Sequence, residues 1–214
     1  FRLAAVIHDP VTTTDELIPS GETSSYRSNP LKLAEFTLSR KDPQYVGRAK
    51  EIQTVETGRR NGAGISGIDQ VVKTATDGQV SPEWVRQTGL GSVIFANKPG
   101  DGSAREQAAS CQRVLGGCAN LAVEYATKRY RSNLINWGML PFTVDPAVVK
   151  EFAIDDYLYL PGVREVVASG GERVPGFVIK GDRKAPVEFW LKNLSVDDRE
   201  IILAGCLINY YASG

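Results

Sequence analysis

The sequence is poor in the groups on which most familiar active sites depend. It holds a single histidine, His8, with three cysteines and one methionine among 214 residues. One histidine cannot build a Ser-His-Asp relay or a zinc site that needs several nitrogen ligands. No G-x-S-x-G elbow occurs either. Cys111, Cys118 and Cys206 form no C-x-x-C pair and no metal-site spacing. They read as buried thiols in a reducing compartment, Cys111 and Cys206 on apolar helix faces and Cys118 at a strand start. Net charge is absent too. Lys+Arg and Asp+Glu number 25 each, so no overall field draws in nucleic acid or an anionic membrane. No apolar run approaches the ~20 residues that span a bilayer. Phe1–Ile7 is too short for a secretory signal and has no basic leader, so a cytoplasmic location is expected.

What is present suits a folded enzyme. A 42% hydrophobic content supplies a sizeable core. The length fits one large domain or two small ones, at ~100–200 residues per domain. A first strand over residues 2–8 leads to a loop at Asp15, then to a Ser/Gly/Asn-rich stretch, residues 20–30, whose composition reads as a linker. Residues 31–57 read as helical, broken at Asp42-Pro43. Gly58-Arg59-Arg60-Asn61-Gly62-Ala63-Gly64 reads as a solvated basic connector, with too few arginines for RNA. From residue 92 the rhythm is strand (92–96), helix, strand (118–123), helix (127–137), strand (139–144), which predicts parallel strands joined by right-handed crossovers. Beyond Asp145-Pro146, Tyr157–Leu160, Val163–Val167, Val174–Ile179 and Val187–Leu191 read as short strands of an antiparallel sheet. A last helix is expected from Ser195 to about Tyr211, opened by an N-cap and first-turn acids.

The richest stretch is Gly100-Asp101-Gly102-Ser103-Ala104-Arg105-Glu106-Gln107-Ala108-Ala109. It follows the apolar strand and the turn Asn97-Lys98-Pro99, and it opens a helix that puts Ala104, Ala108, Cys111 and Leu115 on one side. Gly102 and Ser103 therefore sit where a glycine-rich loop enters a helix. Free N–H groups and the positive end of the helix dipole converge there and attract carboxylates or phosphates. Ser103 is the expected N-cap, and Arg105 adds a forked donor. Taken alone, a Ser-x-Arg at a helix start is also what an ordinary cap looks like.

The pattern is longer than a cap, and it resembles the G-x-G-S-S-R-E-H-A-A motif of the swivelling domain of aconitase and isopropylmalate dehydratase. Thr13-Thr14-Asp15-Glu16-Leu17-Ile18-Pro19 resembles that family's T-T-D-x-I stretch, and Arg27 follows Asp15 at the interval of a substrate-binding arginine in the aconitase branch. Arg131-Ser132-Asn133-Leu134-Ile135-Asn136-Trp137-Gly138-Met139-Leu140-Pro141-Phe142 resembles the family's N-L-x-x-x-G-(L/M/I)-L-P-(L/F) element. The sequence departs from the family at Ala104, which replaces a second serine. It departs also at Gln107, where histidine is usual, and at Lys128 and Tyr130, which replace arginine and histidine. Residues 150–214 carry no motif.

The resemblance implies a three-layer β/β/α swivelling domain over residues 1–214, with a parallel βαβ unit and an additional antiparallel sheet. It implies a hydro-lyase that reversibly dehydrates a hydroxy di- or tricarboxylic acid. Such a reaction removes a weakly acidic C–H proton and expels hydroxide, so it needs a base, fixed cationic donors and a Lewis acid. A serine oxygen beside N–H groups and a helix N-terminus can serve as the base, and the resemblance gives Ser103 that role. Arg27 and Arg105 would clamp carboxylates alongside Gly102 and Ala104, and Asp15 would be an active-site aspartate. The family's Lewis acid is a [4Fe–4S] cluster on three cysteines of other domains. None is expected to be bound by this chain, and its partners would be the cluster-bearing domains and a hydroxy polycarboxylate. The start at Phe1 and the Asp15-to-Arg27 interval suggest a segment of a longer single-chain hydratase, inactive alone. A separate small subunit of an isopropylmalate-type dehydratase and a non-catalytic anion- or RNA-binding module remain as alternatives.

Overall fold

The computed structural model describes residues 1–213. The chain opens with β1 (Arg2–Ile7), a two-residue β2 (Thr12–Thr13), and the short helices α1 (Thr14–Leu17), α2 (Ser20–Thr23) and α3 (Pro30–Ala34). Then come α4 (Tyr45–Arg60), α5 (Asp69–Ala75) and α6 (Pro82–Gln87). The alternating stretch follows: β3 (Ser92–Ala96), β4 (Pro99–Asp101), α7 (Arg105–Val114), β5 (Gly117–Ala122), α8 (Lys128–Asn136) and β6 (Leu140–Thr143). The remainder is β7 (Tyr157–Tyr159), α9 (Val163–Ser169), β8 (Arg173–Lys180), β9 (Arg183–Trp190), α10 (Val196–Ala204) and α11 (Leu207–Ala212).

β1, β3, β5 and β6 run parallel, in that order. Their residues alternate between two cores, which is why they read as near-continuous apolar runs. Leu3, Val93, Phe95, Leu121 and Phe142 face one cluster with Val174, Val178, Val187 and Phe189. Ala5, Ile7, Ile94 and Ala96 face the other with Leu17, Leu33, Tyr45, Ala109, Tyr130 and Leu134, the side covered by helices. β7, β8 and β9 are antiparallel. The two sets join edge to edge, Thr143 opposite Trp190 and Arg2 opposite Tyr157, and close one barrel in the order β1-β3-β5-β6-β9-β8-β7. Closure pairs the strand edges that two open sheets would expose.

Three local expectations give way. Val163–Val167 is the helix α9 and not a strand. Gly162 and Gly170 bracket it in the left-handed region (φ 76° and 84°), and only Val167 is buried. Its β-branched residues suggest a strand, but β8 already pairs with both β7 and β9. The last helix divides at Gly205 (φ 92°), which leaves Cys206 at the junction of α10 and α11, off any helix face. Gly58-Arg59-Arg60 is the final turn of α4 and not a connector. Arg59 and Arg60 both bond the Glu56 carboxylate at 2.7 Å, and Leu90 N–H donates to it at 3.1 Å. Burial pushes that carboxyl up, and these donors outweigh it and hold it low. Both arginines are thus engaged with one carboxylate, Arg59 half-buried and Arg60 exposed.

Candidate functional site

β2 pairs in parallel with β4, Thr12 opposite Pro99 and Thr13 opposite Asp101. This small ladder sets the Thr13–Asp15 stretch beside the Gly100–Ser103 loop at the carboxyl ends of β1 and β3, where open α/β folds present their ligand sites. A capping box fixes the turn into α1. Thr13 Oγ1 accepts from Glu16 N–H at 3.2 Å, and Glu16 Oε2 accepts from Thr13 N–H at 2.7 Å. Gly102 has φ +123°, and a Cβ there would lie 2.3 Å from Thr14 Oγ1. The loop thus rests directly on α1, with no room for a side chain.

Asp15 is exposed at the start of that helix. Its Oδ1 accepts from Ser20 N–H and Ser20 Oγ, each at 3.0 Å, and Arg40 Nη1 donates to Oδ2 at 3.3 Å. The Ser20 N–H leads these donors in holding the carboxyl below the usual aspartate range. Asp15 is therefore an ionised organiser of its neighbours at neutral pH. Arg40, which carried no motif, links it to Glu22 at 2.9 Å.

Ser103 is exposed, and its hydroxyl makes no hydrogen bond among the described residues. It is not the N-cap. Helical geometry begins at Arg105, so the cap position falls to Ala104 (φ −80°, ψ 42°), which offers no side-chain acceptor. A residue further along supplies one. In the amide orientation that satisfies both its ends, Asn133 Oδ1 accepts from Glu106 N–H at 2.8 Å. Arg105, the first helical residue, is half-buried, and its Nε is shut from solvent with no partner among the described residues. Such a donor costs ~1–3 kcal/mol until something accepts from it.

Arg27 stands apart from this group. It is exposed at the end of the turn Ser24–Tyr26, and no hydrogen bond or ion pair ties it to the loop among the described residues. Its neighbour Tyr26 stacks on Phe36 at 5.3 Å, and α3, which follows, packs on α7. A hollow of about 610 Å³ lies elsewhere, between α5, α6 and β7, lined by apolar side chains such as Ile68, Val72, Trp84 and Leu160.

The thiols do not meet. Cys111 is buried in α7, Cys118 half-buried in β5 and Cys206 half-buried at the α10–α11 junction. No His/Cys/Asp/Glu group able to hold a metal occurs among the described residues, so these side chains do not fit an iron–sulfur cluster. Burial pushes the Cys111 thiol up to about 12 and raises Cys118 as well. Since the thiolate is the nucleophile, a maleimide at pH 7.5 should label Cys206 first and spare Cys111 until denaturant is added. Mass mapping of the labelled peptides checks this, and rapid labelling of Cys111 in the folded chain would contradict the burial.

Set beside known proteins, residues 67–147 match the family described as the aconitase C-terminal domain. That stretch holds Ser103, Arg105 and Asn133 but neither Asp15 nor Arg27. The chain is 29% identical over 199 residues to a putative mitochondrial aconitate hydratase of Emericella nidulans, across 92% of this chain and 23% of that protein. It is 26% identical over 201 residues to an aconitase-ribosomal protein bL21m fusion protein of Schizosaccharomyces pombe, across 92% of this chain and 20% of that one. The chain thus spans less than a quarter of the length of these curated relatives. A solved 3-isopropylmalate dehydratase of Methanocaldococcus jannaschii shares the fold, with a TM-score of 0.56 at 17% identity over 98% of this chain and 92% of that one.

Proposed function

We propose, for a chain that belongs to the aconitase/isopropylmalate dehydratase superfamily, that it binds the carboxylates of a hydroxy di- or tricarboxylic acid and abstracts its proton. It does so as one part of a hydro-lyase whose cluster is carried outside this chain, the thiols here being unsuited to it. The layering we assign to it is the three-layer β/β/α swivelling form of the fold.

The single observation that carries this reading is the pairing of a free serine hydroxyl with an unsatisfied arginine at one helix start. Among the described residues Ser103 Oγ has no hydrogen-bond partner, and two residues on the buried Arg105 Nε has none either. A carboxylate seated on the terminal nitrogens of the Arg105 fork would hold the adjacent C–H over Ser103. The N-terminus of α7 lowers the cost of a serine oxyanion, so Oγ can take the proton and hold it until the reverse step. Arg27 takes a second carboxylate, and Asp15 keeps Ser20 and Arg40 in place beneath. Ala104 brings a methyl group where a second hydroxyl would otherwise meet the substrate, which bears on specificity and not on the base.

The test is substrate-proton exchange with solvent deuterium in the enzyme assembled with its cluster-bearing part. Arg105→Lys and Arg27→Lys keep the charge and lose the fork. Each should lower kcat/KM on the order of tenfold or more, as lost charged hydrogen bonds do. Full efficiency in both variants would overturn the clamp. A second reading, a separate small dehydratase subunit, is favoured by the 92% coverage of the isopropylmalate dehydratase chain. Activity restored by mixing two separately made chains would support it.

A further inference from the structure

We infer that Asn133 is a positioning residue for the Ser103 turn. From α8 it supplies the cap that α7 does not take from its own loop, and so leaves Ser103 Oγ free for a substrate proton. The inference rests on the reading of Ser103 as the base.

The first N–H groups of a helix must find acceptors. At α7 the cap residue is Ala104, which has none to offer, and the residue before it, Ser103, carries a hydroxyl. Left alone, a serine at such a place turns inward and caps, as serine does at helix starts in general. Asn133 removes the need. In the amide orientation that satisfies both its ends, its Oδ1 accepts from Glu106 N–H at 2.8 Å and its amide nitrogen donates to Arg129 C=O at 3.3 Å on its own helix, so the side chain is held at both ends.

The same face of α8 holds the rest of the loop. Thr127, Tyr130, Asn133 and Trp137 are spaced by three, three and four residues, which puts them in one row. Thr127 Oγ1 donates to Gly100 C=O at 3.0 Å. The Tyr130 ring lies where a Gly100 Cβ would be. Trp137 Nε1 donates to Glu106 Oε1 at 3.0 Å. Gly100 and Glu106, the two ends of the segment that carries Ser103 and Arg105, are thus both fixed by one helix.

Amide hydrogen exchange on the chain itself reads the bond directly. In Asn133→Leu the Glu106 amide should exchange roughly five- to tenfold faster, the worth of one such hydrogen bond, with the Leu121 amide in β5 unchanged. Asn133→Asp keeps the oxygen and should keep most of the protection. In the assembled enzyme, Asn133→Leu should lower kcat for substrate-proton exchange while KM stays near wild type, because Arg105 and Arg27 still hold the carboxylates. Equal Glu106 exchange in wild type and Asn133→Leu would overturn the proposal, as would a rise in KM at constant kcat. If Asn133→Leu does not fold, the wild-type chain decides. A through-hydrogen-bond coupling between the Glu106 amide nitrogen and the Asn133 side-chain carbonyl carbon is expected, and its absence would sink the idea. An assembled wild-type enzyme without hydro-lyase activity would defeat the function proposed above and leave the exchange result standing.

Discussion

Ser103→Ala should abolish substrate-proton exchange in the assembled enzyme and leave the stability of the chain almost untouched. The two halves of that expectation come from one observation. A serine that caps its helix is worth about 0.5–2 kcal/mol, which alanine forfeits. Ser103 holds no N–H group, because the cap position is Ala104 and Asn133 serves the Glu106 N–H. Removal of its exposed hydroxyl therefore breaks nothing in the fold, and the denaturation midpoint should stay within the usual scatter of surface substitutions. As the base, the same oxygen is indispensable, and its loss should cost on the order of 10²–10⁴ in rate. Deuterium incorporation into substrate, followed against the unfolding curve of each protein, separates the outcomes. Undiminished exchange in Ser103→Ala would leave Ser103 with no chemical task. A clear loss of stability would show that the hydroxyl caps α7 after all.

Gly100→Ala should be among the most damaging single substitutions in the chain, at roughly 2–5 kcal/mol of stability from left-handed strain and overpacking together. Gly100 has φ +100°, and a Cβ would fall 2.4 Å from two atoms of the Tyr130 ring and 2.5 Å from the Tyr130 Cβ. The ring cannot retreat. Tyr130 is fully buried, its hydroxyl donates to Asn120 Oδ1 at 2.6 Å, and it accepts from Gln112 Nε2 at 3.0 Å. Asn120 Nδ2 closes the triad on Gln112 Oε1 at 2.6 Å. Burial pushes the Tyr130 phenol up, so it remains a neutral donor across the working pH range. Any shift of the ring breaks a buried polar network whose members have no water to turn to. Gly62→Ala separates the two terms. Gly62 also has positive φ (81°) but nothing within 4 Å of a Cβ, so it should show the strain alone. Guanidinium unfolding of both variants reads the difference. A Gly100→Ala protein as stable as wild type would mean the loop is not seated on Tyr130. If it folds, its exchange activity should also fall, since Ser103 rides on the displaced loop.

Much of the fold around the candidate site was legible in the residues themselves. The parallel unit from β3 to β6 follows from apolar runs alternating with amphipathic stretches, a pattern that local periodicity encodes. The Gly100–Ala109 stretch announced a glycine loop opening a helix, and two of its glycines do take positive φ. What periodicity cannot encode is which distant segments meet. The β2–β4 ladder that sets the Thr13–Asp15 stretch beside the Gly100–Ser103 loop is only two residue pairs long, too short for any strand signal. The barrel closes through single residue pairs at Thr143–Trp190 and Arg2–Tyr157, which the burial of strand edges decides and no motif marks. α9 is a helix against its own β-branched content because the strands about it are already paired. The cap of α7 lies beyond local reach as well. Ser103 looked like the capping residue by type and place, yet the backbone turns one residue later and an asparagine on α8 provides the acceptor. The sequence by itself therefore determined the chemical groups available at this helix start. Only the packing of α8 against the loop decided which of them the fold uses and which it leaves free, since that depends on contacts between elements far apart along the chain.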